Sequence, residues 1–131
     1  MELNKFIDKL KRDKARGVIA PHQIILLYAL YNLSNRCGKH TFEIDELNTE
    51  FQIVWKRNKD KFQSTSNILG MPLKAFFNQG YINLAFSGEL LDFRKLNDLK
   101  ENIKSVQIGT ELLKVFKFEN IEDTLINRLN K

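Results

Sequence analysis

Apolar residues recur at helical spacing along most of the chain, and only two short stretches alternate instead. Leu3, Phe6, Ile7 and Leu10 lie three and four residues apart, which predicts an amphipathic helix over residues 3–15. Gly17 marks its end, and Pro21 suits the first position of the next helix, where a missing N–H leaves no bond unmade. Ile24, Ile25, Leu27, Tyr28, Leu30, Tyr31 and Leu33 then cover nearly every side of a turn. Such all-round apolarity predicts the central buried helix of the domain, ending near Cys37-Gly38.

Thr41 to Ile44 alternates briefly and predicts a short strand, after which Asp45 is a good N-cap for a helix with Leu47, Phe51, Val54 and Trp55 on one face. Asn58 to Asn67 is polar and reads as a loop. Pro72 starts a helix carrying Leu73, Phe76 and Phe77, Gln79-Gly80 turns, and Tyr81 to Phe86 reads as a strand. Ser87-Gly88 leads to a partner strand near Leu91-Asp92-Phe93. Three helical segments follow, near 95–104, 110–116 and 119–130, with Thr110 and Asn120 as caps. Phe42, Phe51, Trp55 and Phe76 are expected in the core rather than as base-stacking groups. The expected architecture is one domain over residues 1–131, mainly α within the α+β class, with a small antiparallel β-hairpin and a likeness to a winged helix.

Composition sharpens this. A 43% apolar and 28% charged chain with ten Phe has the means to build one core. Cys37 is the only cysteine, so no internal disulfide forms, and one Cys with two His falls short of the usual zinc ligand set. The opening MELNKFIDKLKRDK is charged throughout, unlike a signal peptide, and no apolar run approaches the ~20 residues of a membrane span. A cytoplasmic protein with no membrane partner is expected.

Charge is uneven. Residues 1–40 hold Lys5, Lys9, Lys11, Arg12, Lys14, Arg16, Arg36 and Lys39 against Glu2, Asp8 and Asp13, which accounts for the whole net charge of +5. A second cluster comprises Lys56, Arg57, Lys59 and Lys61, interrupted by Asp60. Clusters of this kind suit phosphate contacts; a solvated helix face is the other reading. Catalytic chemistry is not apparent. His40 lies in a polar stretch without a nucleophile motif, and Cys37-Gly38-Lys39-His40 is too short to make a Cys-His pair. Asp45, Glu46 and Glu50 read as acids placed to favour a helix N-terminus, and there is no phosphate-binding glycine loop. A binding module without a cofactor is expected, not an enzyme.

Four ordered segments carry a resemblance: KLKRDKARGVIAPHQIILLYAL, TFEIDELNTEFQIVW, MPLKAFFNQGYINL and IGTELLKVFKFENIEDTLINRL. Their order resembles the sulfur-binding domain that reads phosphorothioate-modified DNA and often precedes an HNH nuclease domain in type IV restriction enzymes. The resemblance covers nearly the whole chain through short, degenerate motifs. It implies double-stranded DNA as partner. It places His22 at a helix start where ring and free N–H groups meet phosphate, with Gln23 beside it and Arg12 and Arg16 as preceding cations. It implies a small apolar cup for the sulfur made by Met71, Pro72 and Ala75, with Lys74 on the same turn. The chain departs from the family where Gln23 replaces a cation, Met71 a tyrosine, and Tyr81-Ile82 a Phe-Trp pair. It has no HNH motif, so a separate nuclease subunit is one implied partner. The alternative reading is a non-catalytic protein-interaction or scaffolding domain of a defence or mobile-element system, which could form a homodimer.

Overall fold

The computed structural model describes residues 3–9, 22–61, 69–86 and 103–129. They form a mostly helical α+β arrangement with a small three-stranded antiparallel sheet. The first helix, α1 (Leu3–Lys9), buries Leu3, Phe6 and Ile7, the face that the spacing predicts. Leu10, Gly17 and Pro21 lie outside the described residues.

Helix α2 (His22–Cys37) is the centre of the molecule. Ile24 to Leu27, Ala29, Leu30 and Leu33 are buried, and α3, α4 and α6, defined below, all pack against it. It ends where expected: Gly38 stands at φ +65° and donates its N–H to the Ser34 carbonyl at 2.9 Å.

Strand β1 (Thr41–Glu43) turns Phe42 inward and leads directly into α3 (Ile44–Asn58). The N-cap of α3 is Glu43, not Asp45, which sits inside the first turn where its charge still favours the helix dipole. The expected face of Leu47, Phe51, Val54 and Trp55 is buried. The helix runs through Asn58, whose side chain donates back to the Val54 carbonyl at 2.9 Å, and a 3-10 turn follows over Lys59–Lys61. Residues 58–61 of the expected loop are therefore helical, and Phe62 to Asn67 lie outside the described residues.

Helix α4 (Gly70–Asn78) starts two residues before Pro72, which occupies the first turn, where a proline breaks no intrahelical bond. Leu73 and Phe76 are buried, and Gly80 makes the turn at φ +80°. Strand β2 (Ile82–Phe86) then pairs with β3 (Ile103–Ile108), which is the central strand, since β1 pairs with its other edge. Phe42 faces Val106 across one pair, and Leu84 faces Val106 across the other.

Strand β3 corrects the expected helix over 95–104, because Ile103 and Lys104 belong to the strand. Registry shifts between Ala85, opposite Ser105, and Phe86, opposite Ile103. The irregularity resets the alternation, so Ile103 and Val106 both face the core three residues apart, a spacing that imitates a helix. The expected partner strand near Leu91 and the rest of that expected helix lie outside the described residues.

Two helices close the core, α5 (Thr110–Val115) and α6 (Ile121–Leu129). The N-cap of α5 is Gly109 rather than Thr110. Its N–H donates to the Tyr81 carbonyl at 2.9 Å, and a Cβ there would stand 2.6 Å from that oxygen, so only glycine permits this approach. Asn120 stands at the start of α6, its carbonyl accepting from the Thr124 N–H at 3.0 Å. Among the described residues no helix is long and apolar enough to cross a membrane.

Candidate nucleic-acid interface

The residue that opens α2 is held by an aromatic partner from α3. The ring of His22 stands 5.1 Å from that of Trp55, tilted by 42°, and Trp55 stacks in turn on Phe51 at 6.1 Å. Trp55 is buried, so it acts as a fixed floor under the half-buried histidine. This contact brings the start of α2 beside the end of α3. Lys56 and Arg57 follow Trp55 directly, both exposed, and exposed Lys59 opens the 3-10 turn. The second basic cluster thus begins at the same end of the molecule as His22.

The N-terminus of α2 adds to the field there. Neither α2 nor α4 has an acidic residue in its first turn. By contrast α3 has Asp45 and Glu46, α5 has Glu111, and α6 has Glu122 and Asp123. The partial positive charge of the α2 and α4 N-termini is therefore not answered by acids of their own first turns.

The expected site residues fall into three groups. His22 and Gln23 are half-buried on the first turn of α2. Met71, Pro72, Lys74 and Ala75 share α4, with Pro72 buried, Ala75 half-buried and Lys74 exposed. Since α4 packs on α2, the helices that carry these two groups are neighbours. Arg12 and Arg16 lie outside the described residues. Of the residues expected to form a cup, Ala75 offers more surface than Pro72.

Two cations of the N-terminal cluster are spent elsewhere. Arg36 donates from Nη2 to Glu50 Oε1 at 2.7 Å, and Asn32 donates to Glu50 Oε2 at 3.3 Å. The bond to Glu50 holds the Arg36 guanidinium above its ordinary pKa. Lys39 pairs with Glu46 at 3.6 Å and lies over the Phe42 ring at 5.5 Å. Glu50 is only 3% exposed, which corrects its expected role: it is an inward anchor between α3 and α2, not a dipole-favouring surface acid. Its spacing from Phe51 and Leu47 on the buried face was the available signal.

Tyr28 links three helices near the middle of α2. Burial raises its pKa first, the Glu122 charge and a hydrogen bond to that carboxylate raise it further, and Arg57 opposes them. The Arg57 charge is therefore felt by Tyr28 of α2. A comparison with models of known protein families finds no match, and no curated protein matches the chain.

Proposed function

We propose that this protein is a double-stranded DNA-binding module of the phosphorothioate-reading kind, which grips the backbone with the His22 end of its helical core. The observation that carries the reading is the coincidence at one end of His22 on its Trp55 floor, an α2 first turn without acids, and the basic run from Lys56. Phosphate oxygens are the anions that such a surface fits. Sulfur, larger and less strongly hydrated than oxygen, would rest against the α4 turn that carries Met71, Pro72 and Ala75. The element order supports a winged-helix reading: helix, strand, two helices, then two strands, with β1 joining the far edge of β3. In that reading α4 takes the place of the helix that approaches DNA and the β2–β3 pair forms the wing. A nuclease, in this proposal, is supplied by a separate subunit.

The test is a fluorescence-anisotropy titration of one duplex with and without a single stereodefined phosphorothioate. Expected is a preference of about tenfold or more for the sulfur duplex, the equivalent of one well-made contact. Affinity should fall steeply as salt rises, because each neutralised phosphate releases counterions. Arg12→Ala with Arg16→Ala should weaken both duplexes alike, while Ala75→Gln should remove the preference alone. Equal binding of both duplexes would remove the sulfur part of the reading. No binding at about 50 mM salt would remove DNA altogether.

A further inference from the structure

A cleft of about 370 Å³ opens at the other end of α2, between Tyr31, Ser34 and Asn35, the exposed His40 ahead of β1, and Leu113, Phe116 and Lys117 at the end of α5. It is independent of the DNA reading. Its lining starts nine residues beyond His22, roughly 13 Å along the helix axis. The volume falls within the range of small-molecule sites.

The chemistry of the lining is one-sided. Tyr31 and Phe116 meet edge to face at 5.6 Å, and with Leu113 they make an apolar wall of half-buried groups. Lys117 and His40 stand exposed at the rim, and no carboxylate is among the described lining residues. Ser34 and Asn35 add side chains that both donate and accept. The turn after α5 fixes the wall and the cation together: Phe116 donates its N–H to Leu112 at 2.9 Å, and Lys117 to Lys114 at 3.3 Å. An aromatic wall, a cationic rim and an amide in one cleft match a flat heterocycle that bears an anionic group.

We propose that this cleft binds a nucleobase carrying a phosphate, with the base against Tyr31 and Phe116, its edge read by Ser34 and Asn35, and the phosphate at Lys117 and His40. The amide of Asn35 presents a donor and an acceptor side by side, the pair that the N6/N7 edge of adenine answers. Adenine nucleotides are therefore the tightest ligands of the class. A free mononucleotide and an unpaired nucleotide within a strand share this chemistry.

The experiment is a titration of the full chain, followed by amide NMR, with AMP, adenosine, inorganic phosphate and a short single-stranded oligoadenylate. Expected is saturable perturbation centred on Ser34, Asn35, His40 and Lys117 with AMP, and weaker binding of adenosine and of phosphate. Lys117→Glu, at an exposed position, should weaken AMP by about tenfold or more, as loss of a charge-assisted bond does. The same change should leave duplex affinity at the His22 end within about twofold, as for a site outside that contact. Tighter binding of the oligonucleotide than of AMP would identify the ligand as a nucleotide within a strand, and the reverse order as a free nucleotide. The proposal is overturned if AMP leaves the cleft resonances unmoved at millimolar concentration. It is also overturned if phosphate alone binds as well as AMP, or if Lys117→Glu, still folded by its spectrum, binds AMP undiminished.

Discussion

At the Cys37 end of α2 the two cations of the N-terminal cluster are answered: Arg36 by the buried Glu50, Lys39 by Glu46. At the His22 end Lys56, Arg57 and Lys59 stand exposed, with Asp60 the acid in their run, and the first turn of α2 adds no carboxylate. The same residue types thus serve two purposes. A cation bound to a buried carboxylate fastens two helices together, while exposed cations beside a helix N-terminus whose first turn holds no acid project a field into solvent. The net charge of +5 does not by itself distinguish these uses. Residues 1–40 look like one basic segment, yet Arg36 belongs to the fastening and Lys39 to a partly exposed pair with Glu46.

Exchanging the roles of the two ends would break this comparison, and the largest effect belongs to the His22 end. Replacing Lys56, Arg57 and Lys59 together by alanine should weaken duplex DNA by about 10- to 100-fold and flatten its salt dependence by about two to three in log–log slope. Folding stability should move by no more than about 0.5 kcal/mol in urea, as for surface sites. Glu50→Ala should do the opposite. It removes the acceptor of both Arg36 and Asn32 from a buried position and should cost about 1–3 kcal/mol of stability. Because Arg36 keeps contact with water, the loss stays below that of a fully buried pair. Duplex affinity of the folded fraction should not change. If Glu50→Ala weakened DNA as much as the triple variant, the division of charge between the ends would be wrong.

Much of this frame is legible in the sequence. Leu3, Phe6 and Ile7, the apolar run of α2, and the Leu47–Trp55 face carry their periods openly, because each is a regular element packed on one core. What escapes reading depends on partners distant along the chain. Ile103 and Val106 look helical because the registry shift against β2 is invisible without its partner strand. Gly109 is required by the Tyr81 carbonyl, and nothing near it in sequence says so. The site divides in the same way. His22 at a helix start is visible locally, but its Trp55 floor is 33 residues away. Glu50 resembles its neighbours Asp45 and Glu46 until the helix is turned and it points inward.

The His22 contact sharpens the comparison at smaller scale. His22→Ala removes a ring from the Trp55 face and should cost about 0.5–1.5 kcal/mol of stability, the worth of an aromatic pair. Under the DNA reading it should also weaken duplex binding several-fold, whereas Lys39→Ala at the other end should leave binding unchanged. The paired measurement, chemical unfolding and anisotropy on both variants, separates a packing role from a contact role. An unchanged duplex affinity in His22→Ala would leave His22 as a packing residue only.

The smallest expected effect lies between the two ends, at Tyr28. Its pKa in the folded chain is raised, first by burial and then by the Glu122 carboxylate, and Tyr81 is raised by burial and by Glu111. A phenol whose folded pKa exceeds its unfolded value keeps its full contribution to stability below the unfolded value, about 10 for tyrosine. That contribution is lost as pH rises through the folded value, because the phenolate is solvated better in the unfolded chain and is repelled by Glu122 in the folded one. Stability measured by urea unfolding should therefore be level in this respect from pH 8 to about 10 and decline above it. Tyr28→Phe removes the ionising group and the hydrogen bond to Glu122 while keeping the ring on α2. It should lower stability slightly at neutral pH and flatten the alkaline decline, with Tyr81 supplying the remainder. A decline equally steep in Tyr28→Phe would place the alkaline sensitivity at Tyr81, under α1 and α4, and would separate the middle of α2 from the electrostatics of both its ends.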